Sequence, residues 1–180
     1  PETGFARAIA LVERDGSALE RAELAYLLRG TPLPEDARKA LLAGQREDGG
    51  WTPPWIDPSA LDYSGIGATC HRLAGAWACG VPTDAPEIRT AAAFLVARQS
   101  APGAFAEDAA VAAMAPDWLK PDNPLASAYL TANAGFWLAM LGERAAAERA
   151  EGALARGAPD EAYAQTRWLR AALRWRLLGR

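Results

Sequence analysis

The chain reads as an all-α protein, about four stacked αα-hairpins in one domain over residues 1–180. Three observations point there: an alanine-rich composition, helix breakers at regular intervals, and a repeated glutamine–glycine–aromatic turn. Hydrophobic residues make up 51% of the 180, with alanine dominant and Val, Ile and Thr sparse. Alanine is the best helix former, whereas strands favour the β-branched residues that are scarce here. The length suits a single domain with a real core.

Breakers fall at Gly16, Gly30 to Pro34, Gly49 to Pro58, Gly80 to Pro86, Pro102 to Gly103, Pro116 to Pro124, Gly142, and Gly157 to Pro159. Between them eight helices are expected, at about 5–14, 18–29, 35–46, 64–79, 85–99, 125–141, 143–156 and 160–178. The third and fifth open on Pro34-Glu35-Asp36 and Pro86-Glu87, proline and acid where free N–H groups favour both. Gly30, Gly80, Gly142 and Gly179 are placed to end helices in the left-handed conformation. Segments 64–79 and 125–141 carry almost no polar face and read as buried inner helices. Segment 18–29 carries Glu20, Arg21, Glu23 and Arg29, and segment 160–178 an Arg167, Arg170, Arg174 stripe. Both read as polar end caps of a stack, which implies an arc with two ends.

Gln45-Arg46-Glu47-Asp48-Gly49-Gly50-Trp51 aligns with Gln99-Ser100-Ala101-Pro102-Gly103-Ala104-Phe105, with glutamine, glycine and aromatic at offsets 0, +4 and +6. Glu13 to Gly16 is a fainter copy. Physically the unit is a clasp: the glutamine caps helix carbonyls, the glycine turns left-handed, and the aromatic packs back over the amide.

QREDGGW resembles the QW-type repeat of the prenyltransferase and squalene-oxidase repeat family, and QSAPGAF a degenerate copy of it. The resemblance covers about residues 34 to 142. It implies a partial or small α/α toroid around a cavity, and a terpene-cyclase-like activity on a hydrophobic, isoprenoid-type substrate. The Asp-x-Asp-Asp acid motif of class II cyclases is absent, and Cys70 and His71 are adjacent, so their side chains diverge on a helix and make poor joint zinc ligands.

If chemistry occurs, it is expected where loops enter the inner helices. One loop brings Trp55, Asp57, Asp62 and Tyr63. A second, unusually long, brings Glu107, Asp108, Asp117, Trp118, Lys120, Asp122 and Asn123, and a third Asp160, Glu161 and Tyr163. A carboxyl in an apolar pocket has its pKa raised and can donate a proton, while aromatic faces stabilise a cation. Asp62 is the first candidate acid, with Asp57, Asp108 and the single histidine, His71, as further catalytic candidates. The competing role for each aspartate is N-cap or turn former. Trp55, Tyr63, Trp77, Trp118, Tyr129, Asn133, Trp137, Tyr163, Gln165 and Trp168 are candidate substrate-binding residues. The expected function is a cyclase, isomerase or lyase working by general acid catalysis. The alternative is a non-catalytic module or scaffold holding a hydrophobic ligand or a partner protein.

No nucleotide loop, nucleophile elbow or metal-ligand spacing is present, so neither cofactor nor metal is expected. A net charge of −3 with interleaved Arg and acid argues against nucleic acid. Cys70 and Cys79 lie nine positions apart in one expected helix. That is about 13.5 Å, beyond the roughly 7 Å a disulfide spans. Free thiols, no apolar run of about 18 residues and no signal pattern make the cytoplasm the expected location. The open ends of the arc suggest a homodimer or a covering partner.

Overall fold

The computed structural model describes residues 3–157 and 163–179. Eight α-helices run through them: α1 (Gly4–Asp15), α2 (Ala18–Arg29), α3 (Glu35–Leu42), α4 (Ile66–Ala78), α5 (Pro86–Arg98), α6 (Pro124–Met140), α7 (Arg144–Gly157) and α8 (Ala164–Leu178). They form stacked helical hairpins. Helices α3, α5 and α7 make one layer, α4, α6 and α8 the other, and α6 packs against α4, α5, α7 and α8. The α1–α2 hairpin joins through α3 and buries no residue of its own, while its Tyr26 ring lies over Gly80 at the end of α4.

Local chemistry sets the boundaries. Ser17 and Glu20 form a reciprocal capping box at the start of α2. Asn123 caps α6, ahead of Pro124 in the first turn. The expected C-terminal glycines all adopt positive φ. The third helix stops at Leu42, short of the expected 46, because Gly44 turns left-handed at φ 77° and Gln45 then pairs with Trp51 in an isolated bridge. The last carbonyls of α3 still find donors: the Trp51 indole N–H reaches Ala43 O at 3.2 Å, and Arg72 Nη1 reaches Leu41 O at 2.8 Å.

The two glutamine–glycine–aromatic turns are the same object built twice. Gln45 Nε2 donates to Gly49 O in its own turn (2.9 Å) and to Glu87 O at the start of α5 (2.7 Å). Gln99 Nε2 donates to Gly103 O (3.0 Å) and to Ala146 O in α7 (2.9 Å). Each glutamine thus ties one outer helix to the next. In the first turn the capping expected of the glutamine is done by the Trp51 indole. The backbone N–H groups of Trp51 and Phe105 donate to Thr69 Oγ1 and Thr131 Oγ1 on the inner helices, at 3.3 and 2.9 Å. Gly49 and Gly103, at φ 90° and 94°, press against the carbonyls of Thr90 and Arg149, where a Cβ would overlap them.

Two of the sequence expectations are corrected here. Segment 64–79 is not buried all round: α4 buries Ile66, Thr69, Cys70, Leu73 and Ala76, while His71 and Trp77 are exposed. Its apolar free face lines a groove. The arginine stripe of α8 is not simply solvated: Arg170 and Arg174 both turn toward Glu151 of α7, at 3.3 and 3.5 Å. Asp160 and Glu161 lie outside the described residues.

Candidate functional site

The first two loops do meet. Tyr63 OH donates to Glu107 Oε2 at 2.7 Å and accepts from the Asp108 backbone N–H at 3.0 Å. Ile56, Tyr63, Val111 and Ala115 make a small apolar cluster between them. Glu107 is 3% exposed and accepts two further bonds, from Ile66 N–H and Gly67 N–H, both at 3.0 Å. Those amides are the first of α4, whose N-cap, Gly65, has no side chain to cap them. Glu107 therefore serves as the missing cap, a negative group at the positive end of a helix dipole. Burial, then the Glu107 charge, push the Tyr63 hydroxyl pKa well up, and the same two causes raise the buried Cys70 thiol.

Beside this junction lies a chamber of about 450 Å³. Trp51, Trp55, Trp118, Leu119 and Tyr129 form much of its wall, with His71, Arg72 and Glu107 as the ionisable members. A larger chamber of about 660 Å³ continues along the inner helices. Its floor is α6, through Tyr129, Asn133, Phe136, Trp137 and Met140. One wall is α4, with His71, Ala74 and Trp77, and the other α8, with Gln165, Trp168 and Arg176. A third space of about 360 Å³ is bounded by Trp118, Tyr129, Tyr163 and Gln165. Tyr129 belongs to all three, and His71 to the first two, so the spaces adjoin over α6 and together make up its groove.

The aromatic walls are braced. Trp118 meets Tyr129 edge to face at 6.1 Å between centroids, and Phe136 meets Trp137 at 5.1 Å. Asn133 Nδ2 donates to Tyr129 OH at 3.2 Å. Burial is the main cause of a raised Tyr129 pKa, so its hydroxyl stays protonated at neutral pH.

Nine of the ten proposed ligand-binding residues line this groove: Trp55, Trp77, Trp118, Tyr129, Asn133, Trp137, Tyr163, Gln165 and Trp168. Tyr63 does not, because its hydroxyl is committed to Glu107. Of the proposed catalytic residues only His71 lines it. Asp62 is 83% exposed and paired with Arg46. Asp57 is exposed and holds Ser59 in a local turn, and hydrogen bonds from the Ser59 side chain and backbone keep its carboxyl below the usual range. Asp108 is exposed and caps a short 3₁₀ turn through Ala110 N–H. Asp57 and Asp108 do the local work of aspartate in turns and caps, Asp62 pairs with Arg46, and the groove is walled without all three. Sequence reasoning named Glu107 only as one carboxylate among several. The available signal was its place two residues after Phe105, where the first repeat has the equally buried Pro53.

Stacked helical hairpins with an open, aromatic-lined groove define the class of protein. No family model, no curated protein and no solved structure matches the chain. Among the described residues, no three His, Cys, Asp or Glu side chains gather as a metal ion would need. No described helix is long and apolar enough to cross a membrane.

Proposed function

We propose that the protein binds an elongated apolar ligand with one polar end in the groove over α6, as a binding module rather than as an acid catalyst. One observation carries this reading: three adjoining spaces share Tyr129 and are walled chiefly by aromatic and aliphatic side chains. Their volumes fall in the range of small-molecule sites, and such sites combine apolar walls with a few polar groups that fix orientation. Asn133, Gln165 and His71 are the polar groups that would take the ligand's polar end. Among the described carboxylates, Asp57, Asp62 and Asp108 lie outside the groove and Glu107 already accepts three hydrogen bonds, which favours binding over acid-initiated chemistry. The QW-type repeat supports reading the hairpins as a segment of an α/α toroid with the groove on its concave side. Fold alone does not fix the ligand.

An isoprenoid alcohol of about twenty carbons is a suitable probe. At about 0.3 kcal/mol per heavy atom, it should bind with about 6 kcal/mol, a Kd of tens of micromolar. Tryptophan fluorescence titrated with geranylgeraniol should saturate in that range, and Ala74→Phe, which fills the larger chamber, should weaken binding about tenfold or more. No saturation, or equal binding by Ala74→Phe, would count against the reading. Incubation with farnesyl diphosphate and with squalene, analysed by mass, tests the catalytic alternative. The binding reading expects both recovered unchanged. A cyclised or isomerised product lost in His71→Ala would establish the alternative.

A further inference from the structure

The outer face of α8 carries an exposed apolar stripe. Ala164, Trp168, Ala171, Trp175 and Leu178 follow one another at spacings of 4, 3, 4 and 3, and all are exposed. Trp168, Trp175 and Leu178 are 67%, 64% and 54% exposed, unusual for large apolar residues on a helix whose opposite face, Thr166, Leu169 and Leu173, is buried. The 4–3 spacing makes one continuous stripe along a helix, the pattern that receives a second helix, and the alternation of Ala with Trp leaves notches for a partner's side chains.

Charge selects the partner. Numbered as a heptad with Trp168 and Trp175 at a, Arg167 and Arg174 fall at g, the flanking position that sets partner choice; Arg174 also faces Glu151 of α7 at 3.5 Å but stays half exposed, and residues 164–178 contain no Asp or Glu. A second copy of α8 laid antiparallel would bring arginine against arginine. Laid parallel, it would set Arg167 and Arg174 against Ala172 and Gly179, which offer no charge. Neither arrangement satisfies this face. A helix carrying Glu or Asp beside its apolar stripe satisfies both its shape and its charge.

We infer that α8 binds an acidic amphipathic helix of another protein across Trp168, Ala171, Trp175 and Leu178, oriented by Arg167 and Arg174. The inference goes beyond the groove reading and does not depend on it. Only Trp168 is shared, and Trp175 and Leu178 lie outside the groove walls.

Two designed three-heptad peptides test it, both with Leu at a and d, one with Glu and one with Lys at e and g. In fluorescence anisotropy at low salt, the Glu peptide should bind at least tenfold more tightly than the Lys peptide, and the gap should narrow as salt rises. Arg167→Glu with Arg174→Glu should reverse the preference, and Trp168→Ala with Trp175→Ala should remove binding of both peptides while leaving the circular dichroism spectrum unchanged. Equal binding of the two peptides, or of neither, overturns the proposal. So would protein that binds phosphatidylglycerol vesicles but neither peptide, or that dimerises until Trp175→Asp abolishes the dimer.

Discussion

Glu107 is the residue on which the loop junction turns. Its carboxylate accepts from one hydroxyl and two helix amides, and it is surrounded by donors alone. Glu107→Gln keeps the shape but sets an NH₂ group against a donor. It should cost about 2 kcal/mol, the range for an unsatisfied buried group, and lower the melting temperature by about 4–8 °C. Calorimetry of the two proteins checks this. Asp48 works in the first turn, accepting from Gly50 N–H and Ser64 Oγ and pairing with Arg98 at 3.4 Å. Burial pushes its carboxyl up, but the Ser64 and Gly50 hydrogen bonds and the Arg98 charge outweigh it, leaving its pKa below the usual value. A folded pKa below the unfolded one gives stability that is present above the unfolded value, near pH 4, and lost as pH falls through the folded one. Asp48→Asn should therefore melt below the parent at pH 7, with the gap closing as pH falls below about 4. A gap unchanged at low pH would mean that Asp48 acts through shape alone.

At the scale of the element, the repeated turn is a three-way joint. Its glutamine grips the next outer helix, its aromatic N–H grips an inner-helix threonine, and its glycine lets the backbone touch the neighbouring outer helix. Thr69→Val and Thr131→Val each strand one buried N–H, of Trp51 or Phe105, and should cost about 1–3 kcal/mol apiece. The sites sit in separate turns, so the costs should add within about 0.5 kcal/mol. Urea titration of the single and double variants measures both quantities. The joint was partly legible beforehand, because glutamine, glycine and aromatic recur at fixed offsets. The threonines were not, because they lie 18 and 26 positions away on helices that read only as apolar.

At the scale of the molecule, helix number and order follow from composition and punctuation, since alanine-rich segments between Gly and Pro have few other options. The groove was legible through its aromatics, which fall on the free faces of α4, α6 and α8. Of the proposed acids, Asp57 and Asp108 are held by nearby backbone and Asp62 by Arg46, and none of the three lines the groove. Arg46 opposite Asp62, and Tyr63 opposite Glu107 44 positions away, are pairings that only the folded chain creates. The same folding leaves the tryptophans in distinct settings that report on the groove. Trp55, Trp77, Trp118, Trp137 and Trp168 line it, Trp51 walls it with its indole N–H bonded back to α3, and Trp175 lies on the outer face of α8. Indole N–H signals in a ¹⁵N-labelled sample titrated with geranylgeraniol therefore test the central claim most directly. The account predicts that the Trp55, Trp77, Trp118, Trp137 and Trp168 signals shift together and saturate while Trp175 stays in place. Shifts led by Trp175, or no saturating shift among the five, would contradict it.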